Sequence, residues 1–317
     1  MWRDFKTPEG LLLYNRDTGL NILLESFKYQ TLDRPLYAQV KVTNKCNLHC
    51  RFCSQRSAST FEHEWTSEEL CSLFKYLDHW KLQGIALGGG EPFTFPGLAQ
   101  LVKKTWNETE LDISITSNGY LIRDEDLRTL AGNVGEIRIS CWSEQDVNKV
   151  RRLVGKNVSI GINTILFRNG TENVKKIVCA AQNMGINDFL ILQCRPEGRA
   201  SQELCPSERD FQELTDFIGD LGFHVKVDVE TGQILGEGGL LHRLGLQSTM
   251  NPIICITEDK CVARDSFSWG KIPIKDFGDI QRTFEMWRSM GYYGKNNNLT
   301  VVKGVCRSSD SLSAKTD

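Results

Sequence analysis

With 317 residues, 40% of them hydrophobic, the chain is long enough for one large α/β core and a smaller appendage. A formal net charge of -2, from 38 basic and 40 acidic side chains, excludes a global electrostatic pull toward nucleic acid. The opening Met1-Trp2-Arg3-Asp4-Phe5-Lys6 lacks a signal peptide's apolar core and no run reaches the length of a membrane span, so no membrane contact and a cytoplasmic location are expected; eleven cysteines, an odd number, then fit reduced thiols and metal ligation better than a disulfide framework.

Residues 1–35 carry two leucine-rich runs, Leu11–Tyr14 and Leu20–Leu24, on either side of Asn15-Arg16-Asp17-Thr18-Gly19. This predicts an N-terminal hairpin or cap with Gly19 in the left-handed position. Residues 36–228 alternate strands and helices. Strand Tyr37–Val42 leads into Cys46-Asn47-Leu48-His49-Cys50-Arg51-Phe52-Cys53, and a helix follows, capped by Thr66 or Ser67, with Leu70, Leu73, Phe74, Leu77 and Trp80 on its apolar face. Cys71 on that helix reads as a packing residue. Strand Gly84–Leu87 runs into Gly88-Gly89-Gly90-Glu91-Pro92. Further helices are predicted near 96–106, 125–130, 145–153, 171–184 and 206–219, and further strands at 111–116, 136–140, 158–163 and 188–192. Such alternation gives a parallel sheet with right-handed crossovers. In barrel-type sheets the working residues sit at the C-terminal strand ends, here Ser117 and Asn118, Ser140, Asn163, and Gln193 to Arg195.

The three thiols of the first loop, spaced four and then three apart, can share one soft metal centre. Zinc in a structural site takes four ligands and a [4Fe-4S] cluster also wants four thiolates, so three from the protein leave one iron open. A redox Cys50-x-x-Cys53 pair would leave Cys46 idle, and half of a zinc site, with His49 as a fourth ligand, lacks a matching second pair nearby. His49 reads as a solvated loop residue.

The CxxxCxxC pattern, with Phe52 just before its last cysteine, resembles the signature of the radical S-adenosylmethionine (radical SAM) enzymes. The resemblance implies a partial (β/α)6 barrel with a small C-terminal α+β extension. It further implies a [4Fe-4S] cluster on Cys46, Cys50 and Cys53, and S-adenosyl-L-methionine cleaved to a 5′-deoxyadenosyl radical that takes a hydrogen atom from substrate. Phe52 would then lie near the adenine. Gly88-Gly89-Gly90-Glu91-Pro92 resembles the family's GGEP motif, in which Gly89 and Gly90 let the backbone approach the methionine part and Glu91 accepts from its ammonium. By the same likeness Ser117 and Asn118 belong to the cofactor rim, and Ser140 with Arg152 (or Arg151) would hold the SAM carboxylate; an exposed helix charge is the other reading of Arg152. The fifth-strand GxIxGxxE pattern is partly matched by Ser159-Ile160-Gly161-Ile162-Asn163-Thr164, and Leu192 would add an apolar contact or belong to the core.

Cys194-Arg195-Pro196-Glu197-Gly198-Arg199-Ala200 resembles the turn that ends the barrel in relatives with a SPASM or twitch extension. In residues 229–317, Cys255–Cys261, Phe277–Ile280 and Phe284–Trp287 resemble that extension's hairpin and closing helix. Its cysteine pairs are missing. Cys255, Cys261 and Cys306, even with Cys194 and Cys205 from the barrel edge, suggest a degenerate remnant, so about four irons per chain are expected. Gly232–Gly239 reads as a lid or an ordinary surface loop, and Ser308–Asp317 as a disordered tail. The resemblance implies a maturase of ribosomally made peptides served by an electron donor such as flavodoxin or ferredoxin. Because the N-terminal segment is too short for a leader-gripping winged helix, a separate leader-peptide-binding protein is the expected partner. The rival is a small-molecule enzyme of a biosynthetic cluster. An iron-sulfur sensor or electron carrier would have no use for GGGEP on a barrel rim.

Overall fold

The computed structural model describes residues 2–8, 10–27, 29–221, 225–227, 253–267 and 270–293. The expectations for Gly232–Gly239, Cys306 and Ser308–Asp317 lie outside these described residues. Strands β1 (Trp2–Thr7), β2 (Gly10–Asn15) and β3 (Leu20–Leu24) form an antiparallel sheet. The expected hairpin is β2–β3, with Asn15 opposite Leu20 and Gly19 at φ 66°. Strand β1 extends it.

The barrel strands are β4 (Tyr37–Thr43), β5 (Gly84–Gly89), β6 (Asp112–Ser117), β7 (Glu136–Ser140), β8 (Ile160–Leu166) and β9 (Phe189–Gln193), all parallel. Between and after them lie α1 (Ser67–His79), α2 (Leu98–Glu108), α3 (Asp124–Leu130), α4 (Val147–Arg151), α5 (Thr171–Gln182) and α6 (Glu208–Asp220). Helix α1 shows why the pattern folds as it does. Thr66 caps it, accepting from the Glu69 amide at 3.1 Å while Glu69 accepts from the Thr66 amide at 2.9 Å, and Leu70, Leu73, Phe74 and Leu77 are buried. Each such side chain contributes about 2 kcal/mol by leaving water. Two expectations shift. The helix foreseen over 145–153 is a 3-10 turn, Glu144–Asp146, followed by the short α4, and the strand foreseen over 158–163 begins at Ile160, because Gly155 and Asn157 turn the chain through φ 77° and 57°.

The sheet continues at both edges. Strand β10 (Lys226–Val227) pairs parallel with β9, and β11 (Ile253–Ile256) pairs parallel with β4, followed by antiparallel β12 (Cys261–Ala263) and β13 (Ile272–Pro273). The hairpin read as an extension is thus built into the barrel's own sheet. Helix α7 (Gly278–Ser289) packs back through Ile280, Phe284 and Trp287, with the Phe284 ring 5.7 Å from that of Trp80.

Two contacts fix the curvature and polarity of this sheet. Strands β4 and β9 are five steps apart, so a flat sheet would separate them by about 24 Å. The loops that follow them meet, the amide of Arg199 after β9 donating to the carbonyl of Cys53 after β4 at 3.0 Å, as the strands of a partial barrel require. At the opposite end, Tyr37 and Asp112, the first residues of β4 and β6, share a hydrogen bond of 2.8 Å, and Arg16 of the N-terminal turn donates to the Trp106 and Thr109 carbonyls at 3.0 and 2.7 Å. The small N-terminal sheet lies at the strand-start end, away from the cysteine loop. Among the described residues, no helix is long and apolar enough to cross a membrane.

Candidate active site

The cysteine loop is held in place by backbone before any side chain acts. Lys45 and Ala58 form an isolated bridge, the Cys46 amide donates to Ala58 at 3.0 Å, and the Cys53 amide donates to Cys50 at 3.3 Å. Cys46, Cys50 and Cys53 are each part-exposed free thiols, and His49 points to solvent, as the sequence suggests. Burial pushes the Cys46 and Cys50 thiols up, the neighbouring thiols add to the rise, and the Leu48 amide pulls Cys46 back. A cationic metal centre reverses that balance and draws out the thiolates.

The donor set can be tested against its cofactor. Among the described residues, no three His, Cys, Asp or Glu side chains converge on a single ion. A mononuclear zinc needs such convergence, whereas a cubane places each thiolate on a different iron and needs the thiols apart but in one loop. Cys46, Cys50 and Cys53, part-exposed in one loop, are the donors such a cubane would take. When bound, the cluster supplies the electron that cleaves SAM.

Gly89 and Gly90 reveal a role that the sequence hides. The Gly90 amide donates to Thr43 and the Glu91 amide to Lys45, each at 2.8 Å, so the end of β5 is laid directly on the start of the cysteine loop. A Cβ on Gly89 would sit 2.2 Å from the Thr43 carbonyl oxygen, and one on Gly90 would sit 2.2 Å from that of Lys45. The close approach demanding glycine is the loop's own backbone.

Glu91, expected as a carboxylate acceptor, already meets three donors of this chain. It is fully buried; its carboxylate accepts from Ser117 Oγ at 2.7 Å, the Asn118 amide at 2.7 Å and the Phe93 amide at 3.1 Å. Burial raises its pKa against the pull of the Asn118, Ser117 and Phe93 donors. Glu91 thereby ties the end of β5 to the end of β6. Asn118 carries the chain of contacts onward, its Nδ2 donating to Asn47 Oδ1 at 2.8 Å beside the first cysteine.

The remaining expected residues line the same rim with different partners. Phe52 lies against Trp142 and Phe167, at ring separations of 5.2 and 4.9 Å, so an aromatic group joins the cysteine loop to the ends of β7 and β8. Ser140 is buried and its carbonyl accepts from Lys149 Nζ at 2.7 Å; Asn163 Oδ1 accepts from Arg138 Nε at 2.7 Å. Arg152 is exposed and donates to the Gly119 carbonyl at 2.6 Å, on the loop after β6, while Arg151 is exposed beside it. Leu192 is half-buried on β9. No short-range pattern in the sequence marks the roles of Asn47, Trp142 and Lys149, and Arg199 lies in the turn Cys194–Ala200 that the sequence marks, without its partners being legible there.

Among the described residues after the barrel, the two cysteines lie on strands. Cys255 is buried on β11 with its thiol pushed up to about 11 by burial, and Cys261 is half-buried on β12. Cys194 and Cys205 are buried near one another, where burial and the Cys205 thiol push Cys194 up to about 11.

The three-cysteine loop and the glycine-rich end of β5 thus meet at the mouth of a partial α/β barrel, the class of fold of the radical SAM enzymes. Residues 40–194 match the Radical SAM superfamily, and the chain contains a domain of that superfamily, whose cofactors are a [4Fe-4S] cluster and S-adenosyl-L-methionine. Over 241 residues it is 22% identical to the probable GTP 3′,8-cyclase of Saccharolobus islandicus, covering 70% of this chain and 78% of that protein. With the sporulation killing factor maturation protein SkfB of Bacillus subtilis it shares 24% identity over 196 residues, 57% of this chain and 48% of that protein. Streptococcus suis SuiB bound to S-adenosylmethionine has a similar fold, with a TM-score of 0.68 at 13% identity over 92% of this chain and 88% of that one. SuiB bound to its precursor peptide SuiA gives the same TM-score, at 11% identity over 94% and 88%.

Proposed function

We propose that this radical SAM enzyme is a peptide maturase, abstracting a hydrogen atom from a ribosomally made peptide. The observation that carries the reading is the extent of the likeness to SuiB, which takes in 92% of this chain and so reaches past the barrel into the residues that follow it. SuiB has been solved with a precursor peptide. The likeness to a maturation protein, SkfB, supports the same direction. In this reading Cys46, Cys50 and Cys53 ligate the cluster, and Phe52, Ser140, Asn163, Arg152 and Leu192 surround SAM. Gly89, Gly90, Glu91, Ser117 and Asn118 act behind them by fixing the rim. Residues 253–293 are a degenerate SPASM/twitch-like extension without its own cluster, flavodoxin or ferredoxin supplies the electron, and a separate protein holds the leader peptide.

The test uses anaerobically reconstituted enzyme with dithionite and SAM, given either a short precursor peptide encoded beside its gene or GTP. A peptide-dependent rise in 5′-deoxyadenosine with a change in the peptide's mass is expected. Turnover dependent on GTP would overturn the peptide in favour of a small-molecule substrate.

A further inference from the structure

Beyond β9 the chain returns to the cysteine loop and grips it. Arg199 Nε donates to the Cys50 carbonyl at 2.8 Å, its Nη2 to the Ser57 carbonyl at 2.9 Å, and its amide to the Cys53 carbonyl at 3.0 Å. The planar fork of a guanidinium suits two carbonyls seven residues apart that must be held in one geometry. Gly198 makes the grip possible. At φ 62°, an added Cβ would lie 2.3 Å from the Ser54 carbonyl oxygen and 2.4 Å from that of Cys53. These contacts cross the side of the barrel where β4 and β9 are not bonded to each other, since the sheet runs from one to the other through β5 to β8. They form a clasp over the barrel's open side.

The clasp also places a charge. Arg199 makes no ion pair with a carboxylate among the described residues, and its cation acts on Cys50 more strongly than the Asp146 carboxylate that opposes it. Three thiolates on a [4Fe-4S] centre give a net negative assembly, and one added electron makes it more so. A fixed cation beside one ligand residue favours the reduced state, because cluster potentials follow local charge and hydrogen bonding.

We propose that Arg199 is a positioning residue for the cluster: it clasps the loop that carries Cys50 and Cys53 across the open side of the barrel, and its charge makes the cluster easier to reduce. The inference rests on the cluster assignment and not on the identity of the substrate.

The experiment compares reconstituted wild type, Arg199→Gln, Arg199→Lys and Gly198→Ala, reading iron and sulfide per chain, far-UV circular dichroism, and the cluster midpoint by EPR-monitored reductive titration. Arg199→Gln is expected to stay folded and to shift the midpoint to more negative potential, with Arg199→Lys restoring most of the shift. Gly198→Ala, which keeps the charge but displaces the loop, is expected to lose cluster content while remaining folded. A fully loaded Arg199→Gln with wild-type midpoint and EPR signal would overturn the electrostatic role. Wild-type cluster content in both Arg199→Gln and Gly198→Ala would overturn the clasp. If Arg199→Gln does not load, loss of iron in a folded protein supports the clasp, and Arg199→Lys decides the charge: a lysine variant that loads at the wild-type midpoint upholds it, and one that loads at a more negative midpoint, or fails to load, overturns it. Failure of wild type itself to hold iron would strike the cluster assignment instead.

Discussion

Glu91 and Ser117 meet at 2.7 Å, carboxylate to hydroxyl, in a fully buried contact that fastens the end of β5 to the end of β6. Because the Asn118 and Phe93 amides also point at this carboxylate, three donors converge on one acceptor group. An amide in its place would aim its own N–H groups at one of them. Glu91→Gln is therefore expected to destabilise the protein by about 3 kcal/mol and to lower cluster content as the rim loosens. Denaturant unfolding and iron counting on the same preparation check this. Unchanged stability with weakened SAM binding would instead return Glu91 to direct contact with the SAM ammonium.

Gly90 and Gly88 should part company. Gly90→Ala drives a Cβ to 2.2 Å from the Lys45 carbonyl oxygen, at a cost of about 3 kcal/mol or a displaced cysteine loop, whereas an added Cβ at Gly88 meets nothing within 4 Å. Iron per chain after reconstitution should fall in Gly90→Ala and match wild type in Gly88→Ala.

Alanine at Cys46, Cys50 or Cys53 should abolish both cluster loading and 5′-deoxyadenosine formation. Cys71→Ala on α1 and Cys179→Ala on α5 should retain both, since those thiols lie on helices. Full SAM cleavage by the triple variant would end the assignment.

Asp146 gives a dependence on pH. Burial works to raise its pKa, but the Trp142 amide at 2.8 Å, the Lys149 charge and the Tyr120 hydroxyl at 3.1 Å outweigh it, so the carboxyl titrates below its ordinary value. A depressed carboxylate stabilises the fold above the unfolded pKa, near 3.9, and loses that contribution as pH falls through the folded one. Asp146→Asn should cost about 1 kcal/mol at pH 7, kept small by solvent access to the carboxylate, and the gap from wild type should close as pH drops below about 4. Unfolding midpoints measured from pH 7 to 3 would show the closing gap, and a constant gap would count against the charge.

The sequence by itself determined what is local. The spacing of Cys46, Cys50 and Cys53, the glycine run before Glu91, the Thr66 cap and the alternation of apolar runs from Tyr37 to Asp220 are short-range patterns, and each was legible because helix and strand periods and turn chemistry act over a few residues. Only the tertiary structure decided which rims meet. Nothing near Glu91 in sequence announces that two of its partners lie 26 and 27 residues ahead, nor does Arg199 announce carbonyls 149 and 142 residues behind it. The placement of β11 beside β4, with Ile254 opposite Ala38, likewise depends on which sheet edge is left open once the six parallel strands have curled. Edges, and the backbone approaches that require Gly90 and Gly198 to lack side chains, exist only after the strands have packed, because they are set by the order of neighbours in space and not by the order of residues along the chain.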